Sequence, residues 1–172
     1  LHPLPWALPV PLRVHGRYSR AEIEAAYCCA EAFGFGILTG DAPWIHREGV
    51  LWHEPSRTDL LFVTLNKSES IFSPTTRYRD LAFGPSLFHW ESQSKTTAAS
   101  STGQWYVHHE ARGSRVMLFV REHSKQGTVT EPFRCLGFAR YEGHEGERPM
   151  AIRWRLEREI PAAWLAVMAL AV

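Results

Sequence analysis

TDLLFVTLNKSESIFSPTTRYRDLAFGPSLFHWESQS spans Thr58 to Ser94, and its opening run decides the fold. Leu60-Leu61-Phe62-Val63-Thr64-Leu65 is apolar at nearly every position, which predicts a central strand. Asn66-Lys67-Ser68 then turns polar. The end of the stretch crowds aromatic, carboxylate, hydroxyl and amide side chains together, among them Tyr78, Asp80, Phe88, His89, Trp90 and Gln93. That mixture suits recognition of a flat polar ligand better than hydrolysis.

Working outward toward the N-terminus, Glu54-Pro55-Ser56-Arg57 reads as a turn. His46 to Trp52 reads as one strand, and Gly49–Trp52 with Leu60–Leu65 suggests a hairpin. Further back, Ser19 and Glu22 form an S-x-x-E capping box, with Tyr18 and Ile23 placed as its hydrophobic staple. Ile23, Ala26, Tyr27, Ala30 and Phe33 repeat at helical spacing, so a helix is expected over Ser19–Phe33, closed by Gly34. Gly34 to Trp44 is loop-rich. Residues 1–17 carry Pro3, Pro5, Pro9 and Pro11 and read as an extended linker. The Leu at position 1 suggests an excised fragment, with residues 18–172 as a single domain.

Toward the C-terminus, Pro74 and Pro85 punctuate the chain. Arg77 to Ala82 fits a helical turn or a strand. Leu87 to Glu91 reads as a strand, and Lys95 to Gly103, KTTAASSTG, as a mobile loop. Arg115 to Arg121, RVMLFVR, is a strand; Glu122 to Glu131 is a polar loop. Phe133–Tyr141 and Met150–Leu156 are strands joined by a charged turn. Pro161 to Val172 reads as a final helix. Strands and helices do not alternate, so a doubly wound sheet is disfavoured. The expected class is α+β, a curved β-sheet or small β-barrel with flanking helices.

The chain has 172 residues, 45% hydrophobic and 22% charged, with a net charge of +1. It is long enough for one domain with a real core. No global basic field announces a polyanion, so any such site must be a local patch. Cys28, Cys29 and Cys135 form no C-x-x-C, which argues against structural zinc and for a reducing, cytoplasmic setting. The Pro-broken start lacks a signal-peptide pattern, and the apolar tail from Ala162 is too short to span a bilayer. No membrane partner is expected.

Catalytic signatures are missing. The chain has no G-x-S-x-G elbow, no phosphate-binding glycine loop and no H-E-x-x-H. Adjacent His108 and His109 on a strand would point to opposite faces and could not share an ion. No catalytic residue, metal or cofactor is assigned. Asp59, between a turn and a strand, suits a turn-capping role.

Nucleobase recognition accounts for more residues at once, because an extruded base needs faces to stack on and a polar edge to pair with. Tyr78, Trp90, Trp105 and Tyr106 can supply faces. Asp80 can accept from a cytosine amine, and His89 and Gln93 can add polar contacts. Lys67, Arg77, Arg79, Lys95, Arg112 and Arg115 can form a phosphate-binding rim. Core packing is the alternative for each aromatic, and scattered solvated charge for the cations.

Several long phrases carry a family resemblance. TDLLFVTLNKSE, FSPTTRYRD, LFHWESQS, STGQWYVHH, RGSRVMLFVREH and HEGERPMAIRWRL, in this order, with RYSRAEIEAA and REGVLW before them, resemble the C-terminal domain of uncharacterised function in bacterial superfamily 2 helicase-like proteins. The resemblance covers roughly residues 14–160. It implies a domain that follows a phospholipase-D-type nuclease and a helicase motor. Some such proteins look like modification-dependent restriction enzymes, in which this domain is thought to read the target. The implied fold is SRA- or PUA-like, a curved β-barrel with flanking helices. The implied partners are duplex DNA carrying a modified base, such as 5-methylcytosine, and the helicase and nuclease domains. Recognition of another mark, such as a phosphorothioate, is the alternative within this class. A docking domain for the helicase module, or an enzyme using Asp80 or His89 as a base, are the alternatives outside it.

Overall fold

The computed structural model describes residues 2–3, 10–34, 44–47, 49–66 and 81–169. In chain order these form β1 (His2–Pro3), β2 (Arg13–Val14), β3 (Arg17–Tyr18), α1 (Arg20–Gly34), β4 (Trp44–Arg47), β5 (Val50–His53), β6 (Thr58–Asn66), β7 (Leu81–Gly84), β8 (Leu87–Glu91), α2 (Ser101–Val107), β9 (Arg115–His123), β10 (Lys125–Gln126), β11 (Val129–Thr130), β12 (Phe133–Glu145), β13 (Ala151–Leu156) and α3 (Ala162–Ala169). The main sheet runs β4-β5-β6-β9-β12-β13-β8-β7, with β3 added to β12. β6 and β9 pair in parallel, and their neighbours are antiparallel. β4 and β7 end the order without pairing to each other. The protein is therefore α+β on an open mixed sheet, and no closed barrel forms among the described residues.

The apolar runs of β6 and β9 follow from coverage on both faces. Side chains alternate along a strand. Leu61, Val63, Leu65, Val116, Leu118 and Val120 face a core shared with Tyr106 of α2 and Met168 of α3. Leu60, Phe62, Met117 and Phe119 face a second core with Ile23, Ala26 and Tyr27 of α1. Burying each such side chain contributes about 1.5–3 kcal/mol.

Helix α1 starts as its capping residues dictate. The Ser19 amide donates to Glu22 Oε2 at 2.7 Å, and the Glu22 amide to Ser19 Oγ at 3.2 Å. The backbone bond from Ser19 pulls the Glu22 carboxyl below its ordinary range. The side chains of Ala30 and Phe33 lie outside the described residues.

Four sequence expectations are corrected. His46 to Trp52 is not one strand: β4 and β5 pair antiparallel, with Gly49 at φ 68° between them. Glycine adopts that left-handed conformation without steric cost, so the strand folds back. The expected linker is folded in from Val10 onward, where Val10 and Leu12 are buried beside α1 and Val14 is buried against Gly137 of β12. Proline blocks helix but not an extended packed segment. The expected mobile loop at 95–103 contains the start of α2. The charged turn at 142–149 begins only after β12 has run on to Glu145. Of the ambiguous Arg77–Ala82, Leu81 and Ala82 belong to β7, and 77–80 lie outside the described residues.

Candidate functional site

The site is built on α2 and on the two turns that flank the parallel strands. Ser100 caps α2 by accepting from the Gly103 amide at 3.1 Å, and its hydroxyl donates to the Thr97 carbonyl at 2.6 Å. Gln104 Nε2 donates to the Ala98 carbonyl at 2.7 Å. A Cβ on Gly103 would lie 1.9 Å from the Thr97 oxygen, so only glycine lets the loop close this tightly. Small polar residues here are fastened by side-chain bonds to backbone, a local alternative to burial.

Successive residues of α2 point apart. Tyr106 is 0% exposed; its ring meets Trp90 at 5.3 Å and Trp154 at 6.3 Å, edge to face. Gln93 Nε2 donates to the Tyr106 hydroxyl at 3.3 Å. Trp90 is 6% exposed and belongs to the same core. Trp90 and Tyr106 are thus packing residues in this fold, closed off from a ligand by Trp154 and by each other. Gln93 is turned inward to Tyr106.

Trp105 takes the other direction. Its indole Nε1 donates to Asp59 Oδ2 at 2.7 Å, and its ring meets Trp52 at 4.8 Å. Asp59 is fully buried at the start of β6 and anchors this tryptophan. The Arg112 guanidinium lies 4.3 Å from the Trp105 ring centroid. Such a cation–π contact holds the charge flat on the ring.

Arg57 ties the neighbouring turns together. Its Nε donates to the Gly113 carbonyl at 3.2 Å and its guanidinium to the Arg112 carbonyl at 2.7 Å. Its own carbonyl accepts from the Arg115 amide at 2.8 Å. Arg115 in turn lies over the Phe138 ring at 5.1 Å.

A cleft of about 410 Å³ opens between the 109–115 turn and residues 138–140 of β12, with Glu157 on its rim. Arg140 crosses it, 3.6 Å from Glu110 and 3.8 Å from Glu157. Both pairs are exposed and therefore weak. His109 sits beneath. Its Nδ1 donates to the Ser114 carbonyl at 3.2 Å, and its Nε2 accepts from the Tyr141 amide at 3.1 Å. Those two bonds require the neutral ring with its proton on Nδ1. Burial lowers the His109 pKa from its ordinary value, against the Ser114 bond and Glu110. The two histidines are separated by the end of α2: His108 is its cap and exposed, His109 is buried.

Of the residues expected to touch a base or phosphate, the fold gathers Trp105, Arg112 and Arg115. Lys95 is exposed in the loop before α2. His89 is half-buried on β8, 5.2 Å from the Phe83 ring. Lys67, Arg77, Tyr78, Arg79 and Asp80 lie outside the described residues. Thr58 pairs with Arg115, whereas Asn66, which precedes Lys67, pairs with His123 at the other end of the strand. The two ends are about 27 Å apart at strand spacing. Arg57 and Arg140 were not signalled, because their partners are remote in sequence; His109 was weighed only as a metal ligand. Cys135 is buried, and burial pushes its thiol up to about 12, which leaves it unreactive.

Among the described residues, no group of His, Cys, Asp and Glu could hold a metal ion, and no helix is long and apolar enough to cross a membrane. The fold and the arginine-rimmed cleft define an α+β domain with a surface site and a sealed aromatic core. The chain belongs to the family described as a domain of unknown function, DUF3427, whose model matches residues 12–166. Comparison with curated proteins finds no match.

Proposed function

We propose that the chain is a DNA-recognition domain, not itself an enzyme, that reads a modified base in duplex DNA. The mark is a modified cytosine such as 5-methylcytosine, reached by base flipping, and the reader serves a helicase and nuclease restriction system. In this proposal the open sheet is the counterpart of the SRA- or PUA-like scaffold that the sequence resembles.

The observation that carries the proposal is the arginine-rimmed cleft. Arg115 lines it over the Phe138 ring and Arg140 crosses it, while Arg112 lies over Trp105 on the adjoining turn and Arg57 fixes the turns that present them. Guanidiniums held this way offer planar forks to phosphate oxygens. The cleft adds Glu110 and Glu157 as acceptors for an exocyclic amine, and Phe138 as an apolar wall. Lys67, Arg77, Tyr78, Arg79, Asp80, His89 and Lys95 would extend the contact outside it.

The test is fluorescence anisotropy at physiological salt with matched duplexes carrying cytosine, 5-methylcytosine, 5-hydroxymethylcytosine, N6-methyladenine or a phosphorothioate. Salt must be held because phosphate contacts alone bind tightly at low ionic strength. A preference of about tenfold or more, roughly 1.4 kcal/mol, names the mark. Equal binding to all five leaves a general DNA clamp. A second reading, a docking domain for a helicase module, has one observation in its favour: Phe83 is 57% exposed on the edge strand β7. It predicts no salt-sensitive DNA binding at all.

A further inference from the structure

The far end of β9 carries a second pair of guanidiniums. Arg121 lies 4.4 Å from the Phe133 ring centroid, and Arg20 lies 4.7 Å from that of Phe62. The two rings are themselves in contact, 5.2 Å apart. Two cations are thus held on adjoining aromatic faces, in a chain whose net charge is only +1.

Their other bonds leave donors over. Arg121 Nε donates to Thr64 Oγ1 at 2.9 Å and its Nη1 to the Glu131 carbonyl at 3.4 Å. Arg20 Nε donates to Glu24 Oε1 at 2.8 Å, with the Arg20 side chain 45% exposed. A guanidinium has five N–H donors, so each keeps unused ones among the described residues. Thr64 accepts from Arg121, which leaves its hydroxyl proton able to donate to an anion. Arg20 is also the first residue of α1, at the positive end of that helix.

Carboxylates are present and do not fill the site. Glu24 is a surface partner one helical turn away, worth a few tenths of a kcal/mol. Glu131 is buried and spends Oε2 on the His123 amide at 2.7 Å. Glu122 follows Arg121 directly, so on β9 it alternates to the opposite face, and it lies 3.9 Å from His123. The Glu131 charge favours the Arg121 guanidinium, and the like charge of Arg20 opposes it.

We infer that Arg20 and Arg121, with the Thr64 hydroxyl, form a phosphate-binding site distinct from the cleft. Arg115, Met117, Phe119 and Arg121 alternate onto one face of β9, since Phe138 and Phe133 beneath the two arginines share a core with Met117 and Phe119. The site therefore lies about 20 Å along the strand from Arg115. That is the axial rise of about six base pairs. Its source of phosphate, a nucleic-acid backbone, rests on the DNA reading; the phosphate chemistry does not.

Arg20→Ala and Arg121→Lys in the full chain test it, with thermal unfolding as the check on folding. In the first arm, inorganic phosphate is compared with sodium chloride at equal ionic strength. Phosphate should raise the wild-type melting temperature, and Arg20→Ala should lose most of that shift. In the second arm, binding of unmodified duplex is followed against salt. Arg20→Ala should reduce the log–log slope by about one. If Arg121→Lys does not fold, Arg20→Ala decides alone. A phosphate response lost in Arg20→Ala without DNA binding by any form keeps the site and removes the DNA reading. DNA binding with unchanged slope and no phosphate response removes the site and keeps the DNA reading. Absence of both responses in the wild type overturns the inference.

Discussion

Trp90 and Trp105 look alike in the sequence and have opposite fates. Trp90 on β8 is closed in by the edge of Tyr106 and the tilted ring of Trp154. Trp105 is one residue before Tyr106, yet it turns toward β6, ties its indole to buried Asp59 and carries Arg112 over its ring. One step along a helix rotates a side chain by about 100°, which is enough to move an aromatic from the interior to the partly buried margin of the same core. The difference shows that aromatic density alone does not locate a site. What separates the two tryptophans is the company of a buried carboxylate and a stacked cation.

The largest expected effect tests that division directly. Trp90→Ala should cost about 3–5 kcal/mol of stability, as for other large aromatic truncations in a core. Denaturant unfolding measures it. DNA binding should fall only in proportion to the unfolded fraction. If Trp90→Ala stayed fully folded and lost only discrimination between modified and unmodified duplexes, the assignment of Trp90 to the core would be wrong.

Trp105→Phe should be milder. It keeps a ring under Arg112 but removes the donor to Asp59, at a cost of about 1–3 kcal/mol for a buried polar group losing a partner. Calorimetry of wild type and variant gives the value. A cost below the uncertainty of the measurement would mean that the Asp59 contact contributes nothing net.

Much of the scaffold was legible because its signals are local. The S-x-x-E box set the start of α1, and the apolar runs at 60–65 and 115–121 announced central strands covered on both faces. The split at Gly49 was missed because one positive φ in an otherwise strand-like run leaves the pattern intact. Helix α2 was missed because KTTAASSTG has no apolar periodicity; its order comes from Ser100, Thr97 and Gln104 bonding to nearby backbone. The cleft was legible only in part. Arg112 and Arg115 stood out as basic neighbours of a strand, but Arg57 acts through carbonyls at 112 and 113, and at the second site Arg20 meets Phe62. Contacts between residues this far apart leave no spacing to read.

A pH effect separates the cleft from the sealed core. His109 is held neutral by a donated and an accepted bond, and burial lowers its pKa in the folded chain. The unfolded chain therefore binds the proton first as pH falls. Stability from this group is fully present above the unfolded pKa, about 6.5, and is lost as pH drops below it toward the folded value. The slope cannot exceed about 1.4 kcal/mol per pH unit for one proton. Denaturant midpoints of wild type and His109→Gln between about pH 7.5 and 5 should converge as pH falls. Parallel curves would remove His109 as the cause.

Arg112→Ala is the smallest effect on the fold and the sharpest on the comparison. Loss of one exposed cation–π contact should cost about 0.5–1 kcal/mol of stability. Its side chain is not expected to read a base edge, so affinity should fall by a similar factor for all five duplexes, with the salt slope reduced by about one. Removing a phosphate contact does this because each released counterion carries no sequence information. A selective loss for one modified duplex would instead place Arg112 against the base. The rim and the reading surface would then be one and the same, and Trp105 would serve discrimination, not anchorage.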